Sequence, residues 1–153
     1  MRSFTLAALA VIAAVLGYSL WNGTPTGLLL GAAVLAVMLG AGHSLLGERA
    51  LIGPILTLDT LPVILGSRRH TRAVLRFAWH LTSLLWWGIA AVLVVMQMAP
   101  ATLNRPFLWM IVVVFGFSGV LAVWSTAGRH KSWVYFFAIA ALTAVVAAGT
   151  GTV

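Results

Sequence analysis

Cysteine is absent from the 153-residue chain, and only two side chains, Glu48 and Asp59, carry a carboxylate. The first absence excludes disulfide scaffolds, thiolate metal sites, iron–sulfur clusters and cysteine nucleophiles. The second leaves no ladder of acidic groups to carry protons or cations across a bilayer. Charge of either sign is scarce, 7% of residues against about 25% in an ordinary soluble domain. So few charged side chains cannot cover a water-soluble globule of this length. A Gly-rich phosphate loop, a serine-nucleophile motif and H-E-x-x-H spacing are also missing, so ATP-driven, phosphoryl-transfer and motif-based hydrolytic activities have no support.

What is present is apolar. Hydrophobic residues make up 62% of the chain and fall into stretches of about 20, the length of helix that crosses a hydrocarbon core of roughly 30 Å. The expected fold is an all-α, polytopic membrane helix bundle forming one transmembrane domain over 1–153, with spans at about 4–20, 27–46, 74–98, 106–127 and 132–148. The first stretch ends at Trp21 and a polar turn through Thr26; with Arg2 ahead of it and Gly17 and Ser19 near its end, it also fits a signal peptide. Pro106 suits the first turn of the fourth span. Segment 50–66 is apolar but carries Pro54, Asp59 and Pro62, so a sixth crossing would bury a carboxylate and two helix breakers.

Positive charge decides between these topologies. If 50–66 stays on one side, Arg2, Arg49, Arg68, Arg69, Arg72, Arg76, Arg129 and Lys131 share a face and only Arg105 lies opposite, 8 to 1; if it crosses, the best split is 6 to 3. Five spans with the N-terminus in and the C-terminus out follow, in a bacterial-type inner membrane, with 50–66 as an interfacial or re-entrant element. The net charge of +7 belongs to this sidedness, so no nucleic-acid partner is expected. Arg68, Arg69, Arg72 and Arg76 are expected to meet anionic headgroups.

On this topology all four histidines lie toward the cytoplasm. His43, near the end of the second span, and His80, near the start of the third, sit at a matched depth of roughly 6 to 8 Å. Matched imidazoles on antiparallel helices can ligate one metal or one haem. His43 lies in Gly40-Ala41-Gly42-His43-Ser44-Leu45-Leu46-Gly47-Glu48, whose small residues leave room for a planar cofactor or for close helix packing. Arg76 and His80 are spaced i, i+4 on one face with Arg72, so an anionic group such as a haem propionate would meet a guanidinium above the imidazole. A metal site could draw on His43, His80, His130 and Glu48, with Asp59 as an alternative base to Glu48 in a zinc hydrolase. Glu48 lies four residues after Ser44 and five after His43, about 140° round the helix from the latter. His70 and His130, flanked by basic residues, read as turn residues. Trp79 beside His80 could form part of a quinone site, whereas the other tryptophans read as interface markers or packing groups. Gln97 and Ser118 are expected to hydrogen-bond between helices or to lie near the outer boundary.

Three functions remain in view. The first is a non-enzymatic accessory or interaction subunit, self-associating or binding a membrane partner through the stripe Gly23, Gly27 and Gly31. The second is a haem- or transition-metal-binding redox protein using His43, His80 and Arg76. The third is a carrier of a neutral or lipid-like molecule with 50–66 as its gate.

Overall fold

The computed structural model describes residues 2–22, 27–64 and 66–149. Gly23, with the turn it belongs to, and the tail beyond Gly149 lie outside the described residues. The fold is all-α: α1 (Arg2–Trp21), α2 (Leu28–Gly47), a π-helical turn (Glu48–Ile52) running into the short α3 (Gly53–Leu56), α4 (Arg68–Met98), a 3-10 turn (Pro100–Thr102), α5 (Arg105–Thr126) and α6 (Ser132–Gly149). Among the described residues, four apolar helical runs are long enough to cross a membrane: Leu28–Leu56, Arg68–Met98, Arg105–Thr126 and Ser132–Gly149. The chain is therefore a multi-pass α-helical integral membrane protein. The apolar part of α1, Thr5–Ser19, is shorter than these four.

Two boundaries differ from the hydropathy reading, each for a local reason. The second helical run does not stop at Leu46 but continues to Leu56, so 50–56 is helical and continuous with it. Pro54 has no N–H, and its ring would clash with the carbonyl four residues back in a regular helix; widening the preceding turn relieves this. In that turn the Gly53 N–H donates to Glu48 O, and a Cβ at Gly53 would lie 2.8 Å from that oxygen. The third run begins at Arg68 rather than Val74, making α4 31 residues long. Ser67 starts it by capping: its Oγ accepts from His70 N at 3.2 Å and its carbonyl accepts from Thr71 N at 3.2 Å. The basic run is thus helical.

Backbone contacts divide the chain into two compact units, one holding 37–88 and the other the described residues on either side of it. In the flanking unit α5 and α6 form a helical hairpin. Asn104 caps α5 by accepting from Phe107 N at 2.9 Å, with Pro106 in the first turn as its fixed φ favours. Ala127 (φ 48°) and Gly128 (φ 71°) end the helix in left-handed conformations, with Gly128 N donating to Val123 O at 2.9 Å. Leu108, Ile111, Phe115, Ile139 and Leu142 are buried, and Gly119 lets the ring of Phe137 come so close that a Cβ would meet it at 2.7 Å. Ser118, Ser125 and Thr126 donate to carbonyls four residues back on their own helix at 2.6 to 2.8 Å, so Ser118 satisfies itself locally rather than across helices.

Candidate functional site

The unit spanning 37–88 gathers most of the chemistry-bearing side chains. Ser44 near the end of α2 and Glu48, the first residue of the π-helical turn that continues it, are four residues apart; Arg76 and His80 are four apart on α4. Both pairs therefore project from one side of their helices, and they interlock. Arg76 Nε donates to Glu48 Oε1 at 2.9 Å, and Nη2 of the same guanidinium lies 2.8 Å from that oxygen. The second carboxylate oxygen, Oε2, is buried and 3.4 Å from Nε2 of His80, a contact that becomes an ion pair when the ring carries both protons. His80 Nδ1 is 2.9 Å from Ser44 Oγ, which donates to Ser83 Oγ at 2.9 Å. Ser83 is buried.

The row Ser83, Ser44, His80, Glu48 accepts either protonation state of the ring. With Ser44 donating to Ser83, its free lone pair takes Nδ1–H, and the imidazolium Nε2–H faces the carboxylate. Rotating both hydroxyls points them toward Nδ1, which suits the neutral ring with its proton on Nε2. Carboxylate, imidazole and hydroxyl in this order resemble a hydrolytic relay, but Ser44 lies inside a helix whose neighbouring backbone N–H groups are committed to intrahelical bonds and so do not form an oxyanion hole.

A second layer is aromatic. The indole of Trp79 stacks on the His43 imidazole, centroids 4.0 Å apart and planes 14° from parallel, and Trp86 meets the same ring edge-on at 5.1 Å. Trp79 Nε1 donates to His43 O at 3.1 Å, and Trp87 Nε1 donates to Val37 O at 3.1 Å. Each indole sits on a glycine: a Cβ at Gly47 would run into Trp79, and one at Gly40 would lie 2.5 Å from Trp87 Nε1. The small residues around His43 do leave room for planar groups, and the chain's own indoles take that room.

The sequence-derived candidates thus have definite places. Arg76, His80 and Glu48 come together, and Arg76 faces a carboxylate of its own chain. His43 is held by tryptophans, its ring in a different setting from that of His80. His130 belongs to the turn before α6, where its Nδ1 is 2.8 Å from Ser132 Oγ. His70 Nδ1 is 2.9 Å from Ser67 Oγ at the start of α4. Among the described residues no group of three or more histidine, aspartate or glutamate side chains could hold a metal ion, so the haem or metal reading gains no cluster to rest on. Asp59 is fully exposed and 3.9 Å from Arg72 Nη2. Ser44 and Ser83 are the members sequence reasoning missed; the i, i+4 spacing of Ser44 and Glu48 was the available signal.

Of the stripe glycines, a Cβ at Gly27 would lie 3.7 Å from the Tyr18 ring and one at Gly31 would meet Val15 at 2.8 Å, so both face α1 of the same chain. Gln97 lines an open cleft of about 360 Å³ with Ala14, Val15, Tyr18, Gly27 and Leu30, and none of these belongs to 50–66. No family model, curated protein or solved structure matches the chain.

Proposed function

We propose that this is a small polytopic protein of a bacterial-type inner membrane, one transmembrane domain with five crossings and its N-terminus inside, acting as a non-enzymatic accessory or interaction subunit. The observation that carries the reading is that the polar groups toward the end of α2 and the start of α4 are committed to one another. Glu48 serves Arg76 and His80, Ser44 links His80 to Ser83, and the glycine seats hold Trp79 and Trp87. A ligand entering there would have to displace these internal partners, and the partly exposed pairs would each lose their hydrogen bonds to do so. The cluster therefore works as a clamp between helices. The broad apolar surface of α5, where Val113, Phe117 and Trp124 are each more than 60% exposed, is left for lipid or a membrane partner. The 8 to 1 distribution of basic residues supports the orientation.

Because the chain has no cysteine, single-cysteine labelling tests the topology directly. Asp59→Cys and Ser67→Cys should react with an impermeant maleimide only from the cytoplasmic side, and Thr102→Cys only from the opposite side. The reverse pattern overturns the orientation, and labelling of all three from one side overturns the crossing by α4. Purification in mild detergent tests the role: a stoichiometric membrane partner or a defined oligomer is expected. A Soret band or near-stoichiometric metal, lost in His43→Ala and His80→Ala, overturns the non-enzymatic reading in favour of a cofactor protein.

A further inference from the structure

The first turns of α4 carry more positive charge than the carboxylates among the described residues offset. Arg68, Arg69 and Arg72 stand at the N-terminal end of a 31-residue helix, where the backbone dipole is already positive and cations are disfavoured. The chain has two carboxylates to offset them. Glu48 is engaged by Arg76, and Asp59 is fully exposed and reaches only Arg72, at 3.9 Å. Arg69 is exposed, with no partner among the described residues. Arg69 and Arg72 are three residues apart and so are neighbours on the helix surface.

The surface beside them is built rather than loose. Thr71, fully buried, donates from Oγ1 to Pro62 O at 2.7 Å and accepts from Ile64 N at 2.9 Å, while Arg68 Nε donates to Leu61 O at 3.2 Å. These bonds fasten residues 61–64 onto the opening turns of α4. The fastened strip turns apolar side chains outward: Val63 is 57% and Ile64 43% exposed, with Leu58 51% exposed just before it. Unbalanced guanidinium groups beside outward aliphatic side chains match a molecule with an anionic head and an acyl tail. A free inorganic anion or a nucleotide would use only the first half of this surface.

We propose that the start of α4 and the strip 61–64 form a binding site for one anionic phospholipid, its phosphate held by Arg69 and Arg72 and its acyl chain lying along Val63 and Ile64. The site departs from a general attraction of four arginines to headgroups, since Arg76 is withdrawn by Glu48 and the apolar strip adds selectivity for a lipid. It rests on the placement of this loop at the membrane surface. The labelling at Asp59 and Ser67 tests that placement separately, so the two can fail independently.

The test uses the full chain in dodecyl maltoside, titrated with phosphatidylglycerol, with phosphatidylcholine or with inorganic phosphate, and read by native mass spectrometry and by thermal unfolding. Phosphatidylglycerol should remain bound and raise the unfolding temperature, the other two should not, and the effect should weaken with salt. Arg69→Gln and Arg72→Gln should each lower phosphatidylglycerol affinity roughly fivefold, with Arg129→Gln unchanged. If the arginine variants do not fold, Val63→Ser with Ile64→Ser provides the second arm, expected to lose bound phosphatidylglycerol with all arginines present. Equal retention of phosphatidylcholine, undiminished binding in the folded arginine or serine variants, or equal binding of inorganic phosphate overturns the site.

Discussion

Trp79 meets His43 twice: its indole N–H donates to the His43 carbonyl at 3.1 Å, and its ring lies on the His43 imidazole with centroids 4.0 Å apart. The side chain is thereby fixed in both position and plane, and Gly47 supplies the flat seat beneath it. Trp87 repeats the hydrogen bond and the seat at Val37 and Gly40. Seven residues separate the glycines and eight the tryptophans, about two helical turns in each case, so both seats fall on one side of α2. In a membrane, where helix association gains little from the hydrophobic effect, such close packing with a carbonyl acceptor is a main source of adhesion.

The seats predict a steric penalty. Gly47→Ala or Gly40→Ala should destabilise the protein by about 1–3 kcal/mol, since the indole must shift and strain its hydrogen bond, although alanine is the better helix former. Gly88→Ala, whose Cβ would meet nothing within 4 Å, should be neutral or stabilising by up to about 1 kcal/mol. Reversible unfolding in mixed micelles measures both. Gly47→Ala should lose its penalty in a Trp79→Ala background, and a penalty that persists there would place the clash elsewhere.

Glu48 is the hinge of the polar clamp, and its neutral isostere tests this. Glu48→Gln keeps the size but removes the charge that faces Arg76 and His80, and a loss of about 1–2 kcal/mol is expected because the pair is partly exposed. A double-mutant cycle with Arg76→Gln should show a coupling of at least about 0.5 kcal/mol. Additive single effects would mean that the two side chains do not act together.

Much of this was legible in the residues, and the part that was not has a physical cause. The spacing of Arg76 and His80 put them on one face, and that of Ser44 and Glu48 did the same on the other helix. What could not be read was how the helices rotate to bring these faces together, because α2 is apolar on nearly every side and offers no polar stripe to orient it. Glu48 is set about 140° from His43 round the helix, and its partners Arg76 and His80 are on α4. Hydropathy placed the start of the third span at Val74 because arginines look like a loop. The capping hydroxyl of Ser67 starts the helix itself six residues earlier. Likewise the helix past Leu46 was hidden by Pro54, which the π turn accommodates.

His43 distinguishes a packing ring from a ligand. His43→Phe keeps an aromatic face against Trp79 and Trp86, whereas His43→Ala removes both contacts, each worth about 0.5–1.5 kcal/mol beyond the buried area. Stability and tryptophan emission should stay near the parent values in the phenylalanine variant and change in the alanine variant. Equal loss in both would show that the imidazole nitrogens, not the ring face, are what the site requires.

The turn between α5 and α6 offers a stabilising change. Ala127 adopts φ 48° and ψ 38°, a left-handed conformation that places its Cβ against the following carbonyl and costs roughly 1–2 kcal/mol in a residue other than glycine. Gly128 follows at φ 71°, and its N–H reaches back to Val123 O. Removing the Cβ at Ala127 relieves the strain but adds freedom to the unfolded chain, which returns part of the gain. Ala127→Gly should therefore stabilise the protein by about 0.5–1 kcal/mol, and Gly128→Ala should destabilise it by a similar or larger amount. Because neither change alters a helix-packing contact among the described residues, the labelling pattern from either side of the membrane should be unchanged. Unfolding measurements on the two variants in the same micelles check the sign of each, and a destabilising Ala127→Gly would show that the left-handed turn is not what ends α5.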